Sequence, residues 1–248
     1  MPTKSKNLIK KLTILFPIRP ALEEILALTF TEKAASEMEE RVDLALPYGY
    51  VQMWISTFHS FVDQILKEYA SHIGLNPSYH ILTDAEVILF LKENLFLFNL
   101  HYFRPLGNPH RYLEDLYKHF SRLKDEDVSS SEYVRWAQGK SEEEKIEIEK
   151  NIELANAYRT YQQLKIREGL MDFSDLIYYT LELFRKRKNI LRLYQQKFTH
   201  ILVDEFQDTN ISQYTLVKLL CPAKKNSRLT VVGDDAQAIY KFRGASVS

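Results

Sequence analysis

The chain has 248 residues, with 33 Lys and Arg against 33 Asp and Glu, so its formal net charge is zero and any site for an anion has to be local. With 45% hydrophobic and 12% aromatic residues and only 7 glycines and 8 prolines, it reads as globular, which excludes low-complexity and collagen-like chains. A single cysteine, Cys221, allows no internal disulfide, and no apolar run approaches the ~18 residues of a membrane span; the expected setting is soluble and cytoplasmic.

In chain order, the first 20 residues hold Lys4, Lys6, Lys10, Lys11 and Arg19 without an acid, which reads as a solvated basic start. ILALTF (25–30) is short and almost wholly apolar, the pattern of a parallel strand covered on both faces. Thr31 then opens TEKAASEMEERV as a helix with a capping hydroxyl and Glu32 in its first turn. The pattern repeats in VQMWIST (51–57), a strand, and FHSFVDQILKEYASHI (58–73), a helix stopped at Gly74. Two strand–helix units imply α/β architecture.

Between 83 and 170 the strand signal gives way to amphipathic segments, AEVILFLKENLFLF and YLEDLYKHFSRL, joined by a Pro- and Gly-containing loop at 101–110. VSSSEY (128–133) marks a further break, and 141–169 reads as one long helix whose charge is mostly a solvated face, ending at Gly169. Strands return in HILVDE (200–205) and LTVVGDD (229–235), with the helical ISQYTLVKLL (211–220) between them, a βαβ unit. The resulting division is 1–80 and 173–248 as two parts of one α/β domain, interrupted by an all-α insert at 81–172.

Two clusters carry chemistry. Asp204 and Glu205 follow an apolar strand directly, where open α/β sheets bind ligands. One carboxylate there suits Mg²⁺ and the other suits a water molecule attacking phosphorus. GDDAQAIYKFRGA (233–245) combines Gln237, suited to a phosphate oxygen, with Tyr240, Phe242 and Arg243, the mixture of rings and cation used by single-stranded nucleic-acid platforms. Phe30 and Phe58 read more simply as core, and His59 as a satisfied residue at a helix start.

LALTFTEKAASEMEERV (26–42), ISTFHSF (55–61), MDFSDLI (171–177), HILVDEFQDTNISQY (200–214) and VVGDDAQAIYKFRGA (231–245) together resemble the superfamily 1 DNA helicases of the UvrD/Rep/PcrA type. They look like motifs Ia and Ib, the return from the helical insert, and motifs II and III. The resemblance implies a RecA-like P-loop NTPase domain with a parallel sheet, using ATP and Mg²⁺ to move on single-stranded DNA and duplex junctions, 3′ to 5′, beside a second RecA-like domain. Asp204 would hold Mg²⁺, Glu205 would activate water and Gln237 would sense the γ-phosphate. Phe30, Thr57 and His59 would contact DNA, with Tyr240, Phe242 and Arg243 lining the track. Family members often carry tryptophan where Phe242 stands and asparagine where Glu32 stands. The family's glycine-rich phosphate loop has no counterpart in PTKSKN (2–7), where Lys6 is the one stand-in for its lysine, and motifs of the second motor domain are missing. The expectation is therefore an internal piece of a helicase or a truncated product, with little ATPase alone. The alternatives are a non-hydrolysing DNA-binding or assembly module, and the motor of a helicase–nuclease.

Overall fold

The computed structural model describes residues 21–45, 53–104, 107, 109–139, 145–222 and 228–234. The chain divides into two compact units, Met1–Ile65 with Leu181–Ser248, and Leu66–Thr180.

The first unit is built on a parallel sheet, β1 (Ile25–Thr29), β2 (Trp54–Thr57), β5 (His200–Val203) and β6 (Arg228–Val231), in the order β2-β1-β5-β6. All five residues of β1 are buried, as an unbroken apolar run between two covered faces requires. Its register sets Leu28 against Ser56 on one side and Val203 on the other. Helix α1 (Glu32–Ala45) follows β1, with Ala34 N donating to Thr31 Oγ1 at 3.1 Å as the sequence anticipated. Ala35, Met38 and Val42, spaced three and four apart, bring one stripe of α1 into a cluster with Ile25, Ala27, Ile55 and Leu202.

Helix α2 (Phe58–Tyr69) buries Phe58, Phe61, Val62 and Ile65 on one face, the i, i+3, i+4, i+7 pattern of its sequence. Phe61 meets Phe198 edge-on at 5.9 Å between ring centroids, and Trp54 meets the same ring at 5.6 Å. Phe198 closes α8 (Lys188–Lys197), which comes directly before β5.

The second unit is mainly helical: α3 (Asp84–Glu93), α4 (Pro109–Asp125), α5 (Ser130–Gln138), α6 (Lys145–Glu168) and the start of α7 (Phe173–Lys186). Its aromatic centre is Phe120, stacked on Tyr161 at 5.3 Å and tilted against Tyr158 at 5.4 Å. The segment VSSSEY is a helix start as well as a break, because Ser129 and Glu132 form a reciprocal capping box at the head of α5. A strand pair was not anticipated: β3 (His80–Ile81) and β4 (Leu170–Met171) run parallel. At two residues each they are too short for a hydropathy pattern to reveal them.

Buried charge interrupts the solvated face expected of α6. Most of its charge is solvated, but Lys165 is 1% exposed, and so is Lys124 of α4. Lys124 Nζ lies 2.6 Å from Asp172 Oδ2 and 2.7 Å from Asp175 Oδ1, and Lys165 contacts both carboxylates too. Two cations and two anions share one buried pocket, which Tyr161 completes by donating to Asp172 at 2.8 Å. Burial alone would raise the Asp172 carboxyl, but Lys124 and Lys165 overcome it and hold the group well below the usual carboxylate range. Asp172 and Asp175 also accept from each other's backbone N–H at 3.0 and 2.8 Å, so MDFSDLI caps its own helix.

Candidate functional site

From β1 the chain steps to β2 on one side, then returns to β5 and β6 on the other. The direction of winding therefore reverses between β1 and β5, and the carboxyl ends of strands at such a reversal are where open α/β sheets bind ligands. Thr29 and Phe30 stand at the end of β1; Asp204 and Glu205 stand at the end of β5. Asp204 N donates to Leu28 O at 2.9 Å, which continues the β1–β5 ladder up to the first acid of the pair.

The backbone changes abruptly at Glu205, whose φ of 52° and ψ of 42° are left-handed. For a residue with a Cβ this conformation is unfavourable and persists only where surrounding contacts impose it. Those contacts are present. Phe206 N donates to Val232 O at 2.9 Å and Asp208 N to Glu205 O at 2.9 Å, forming a 3-10 turn over Phe206–Asp208. Gln207, 8% exposed, donates through Nε2 to Glu205 Oε2 and accepts from Asp234 N at 2.9 Å through Oε1. Asn210 then caps helix α9 (Ile211–Leu220) in a reciprocal box with Gln213. Burial raises the Asp208 carboxyl, and the Glu205 charge adds to that.

The donor set fits a hard cation. Mg²⁺ takes one or two protein carboxylates and fills its other positions with water and phosphate oxygens, so it needs no cage of side chains. Among the described residues there is no cluster of three or more His, Cys, Asp or Glu arranged to hold a metal. Two buried oxygens at this edge, Thr29 Oγ1 and Asp208 Oδ1, have no hydrogen-bond partner among the described residues. Thr29 lies one residue past the Leu28–Val203 pair, laterally beside Asp204.

At the end of β2 a second group gathers. Thr57 Oγ1 donates to Glu32 Oε1 at 2.8 Å, and Ser60 Oγ donates to the same oxygen at 2.7 Å. Ser60 N donates to Thr57 Oγ1 at 3.1 Å, the N-cap geometry of α2. Thr57 is 4% exposed, so its hydroxyl is committed to this network. Burial pushes the His59 imidazole down to about 4, and the Glu32 carboxylate opposes this only in part, so His59 is neutral at pH 7.

Of the residues singled out from the sequence, the structure brings Asp204 and Glu205 together at one strand end. It brings Thr57 and His59 together at another, with Phe30 half-buried at the end of β1. Phe58 is 1% exposed and belongs to the core. Gln237, Tyr240, Phe242 and Arg243, like PTKSKN and Lys6, lie outside the described residues. Glu32, Gln207 and the Asn210–Gln213 box carry the local geometry. The box could have been found from its spacing, a polar cap followed by Gln at the third position.

Comparison with known proteins gives the family. Residues 4–248 match the family described as UvrD/REP helicase N-terminal domain. The chain is 37% identical over 225 residues to the ATP-dependent DNA helicase PcrA of Bacillus subtilis (strain 168), covering 90% of this chain and 28% of that protein. It is 37% identical over 227 residues to DNA helicase II of Haemophilus influenzae, covering 90% of this chain and 29% of the relative. PcrA of Staphylococcus aureus is 36% identical over 223 residues, again covering 90% of this chain and 28% of that protein. The chain thus spans under a third of the length of these relatives. Its sheet, its helical segment and a match over nearly the whole sequence place it in one family: the chain belongs to the UvrD/REP helicase N-terminal domain family.

Proposed function

We propose that the chain is part of the first motor domain of an ATP-dependent superfamily 1 DNA helicase that translocates 3′ to 5′ on single-stranded DNA in repair, replication or recombination. In this reading residues 1–80 and 173–248 form the RecA-like part and 81–172 the insert. The setting is cytoplasmic, and a second RecA-like domain is the partner. No helix among the described residues is long and apolar enough to cross a membrane.

The observation that carries the reading is the Asp204–Glu205 pair at the strand end where the winding reverses, with Glu205 held left-handed. Bound Mg²⁺·ATP would supply the phosphoryl group and the charge that neutralises its oxygens. In this reading Asp204 would hold the cation, and Glu205 would accept a proton from the attacking water. Phe30, Thr57 and His59 sit at the neighbouring strand ends, on the side away from β6, and are assigned to the DNA track with Tyr240, Phe242 and Arg243; Gln237 is assigned to the γ-phosphate. A water-activating carboxylate at Glu205 has no use in a module that only binds DNA, which argues against that alternative.

The test is binding of fluorescein-labelled oligo-dT and of Mg²⁺·ATP by the 248-residue protein at low salt, with ATP hydrolysis measured beside Glu205→Gln. Binding of both ligands, with Asp204→Ala weakening only the nucleotide, is the expected result. Absence of oligo-dT binding would sink the DNA-motor reading, and nucleotide binding indifferent to Asp204→Ala would sink the metal assignment.

A further inference from the structure

Gln207 touches two different loops with the two ends of one amide. Its Nε2 donates to the carboxylate of Glu205, and its Oε1 accepts from the backbone of Asp234, 2.9 Å away and 27 residues further along. At 8% exposure the side chain is largely shielded from water that would compete for these partners. We propose that Gln207 is a positioning residue that ties the orientation of the Glu205 carboxylate to the segment leaving β6. The proposal rests on the reading of Glu205 as the water-activating carboxylate, and adds the means by which the second loop controls it.

The chemistry requires an amide at this place. One end must donate to a carboxylate and the other must accept from an N–H, in a plane that fixes both directions at once. A glutamate would keep the acceptor but set a second anion against Glu205. A lysine would donate only, and a methionine of the same length would do neither. The neighbouring backbone is shaped around the amide. Phe206 N donates to Val232 O at 2.9 Å, bringing the two loops side by side. Gly233 has no room for a side chain, because a Cβ there would stand 2.7 Å from Gln207 Oε1 and 3.3 Å from Gln207 N. The glycine's φ is not left-handed, so the requirement at 233 is space for the amide.

The consequence is mechanical. A shift of Asp234 turns the amide plane, and the amide plane directs Nε2 at Glu205. Gln237, assigned to the γ-phosphate, follows Asp234 by three residues in the sequence. The state of that segment would thus reach the carboxylate through one side chain, without a change in the strands.

The experiment is a double-substitution cycle on the 248-residue protein, read as hydrogen exchange of the Asp234 amide by NMR, without nucleotide or DNA. Glu205→Ala removes the far anchor of Gln207 and is expected to speed Asp234 exchange about three- to tenfold, the effect of weakening one hydrogen bond. Glu205→Gln, which keeps an acceptor for Nε2, is expected to restore most of the protection. In a Gln207→Met background Glu205→Ala should have no further effect. Gly233→Ala, which displaces the amide without altering it, should also abolish the response and serves if Gln207→Met does not fold. Exchange at Ile201–Val203 is the folding control. A Gln207 that only fills space predicts no response of Asp234 to Glu205→Ala, or the same response in both backgrounds; either result overturns the proposal. Because no ligand is present, the cycle can fail while the binding test above succeeds, and the reverse.

Discussion

The hydroxyl of Thr57, at the end of β2, donates to the carboxylate of Glu32, at the start of α1, across 2.8 Å. Two strand–helix turns 25 residues apart are thereby fastened by an anion in a region assigned to DNA. Replacing that anion with a neutral acceptor of the same shape separates its two effects. Glu32→Gln is expected to keep the bonds from Thr57 and Ser60 while removing the charge. Affinity for oligo-dT should rise severalfold at low salt, and the gain should fade as salt screens the field. Fluorescence anisotropy across a salt series checks this; an unchanged affinity at every salt would place Glu32 away from the phosphates.

His59 should make the protein sensitive to mild acid. Its folded pKa, about 4, lies below the unfolded value of about 6.5, so the unfolded chain binds a proton first. Stability is therefore unaffected above pH ~6.5 and falls as pH drops from there towards 4, by up to ~3 kcal/mol. Urea unfolding of the parent and of His59→Gln at pH 7.5 and pH 5 measures the difference. The variant should lose less stability between the two, and equal losses would show that His59 is not desolvated.

The buried quartet of Lys124, Lys165, Asp172 and Asp175 should be intolerant of single truncation. Lys165→Met leaves an uncompensated buried carboxylate and is expected to cost ~3–5 kcal/mol. Adding Asp175→Asn removes the stranded charge, and the double variant should be more stable than Lys165→Met alone. Chemical denaturation of the parent, Lys165→Met, Asp175→Asn and the double variant tests it. Additive losses would mean that the charges do not act as a unit.

Phe30 and Phe58 should separate cleanly. Phe58, 1% exposed, is core, and Phe58→Ala is expected to cost ~3–5 kcal/mol of stability. Phe30 is half-buried, and Phe30→Ala should instead weaken oligo-dT binding by ~1–3 kcal/mol if it stacks on a base, with a smaller effect on the melting temperature. A purely structural Phe30 would show the Phe58 pattern.

The sequence was most informative where periodicity is strong. ILALTF, HILVDE and ISQYTLVKLL each contain the element that forms, because an unbroken apolar run or a 3.6-residue stripe has few other ways to be buried. The end of a strand is marked equally plainly by two acids that cannot continue it into the core, so Asp204 and Glu205 were legible. The pairs β3 and β4 were not, since two residues of backbone ladder leave no period to read.

Other features depend on residues that meet only after folding. Lys124 and Lys165 sit in helices whose charges are otherwise solvated, and nothing local distinguishes them. Their burial follows from the positions of Asp172 and Asp175, 48 and 10 residues away along the chain in the contacts they make. The same holds at the site. Sequence by itself determined the longer elements, the family and the acids that end β5. Tertiary structure decided that the winding reverses at those acids, that Glu205 turns left-handed there, and that Gln207 spans two loops, because each depends on strand order and on hydrogen bonds between segments far apart in the chain.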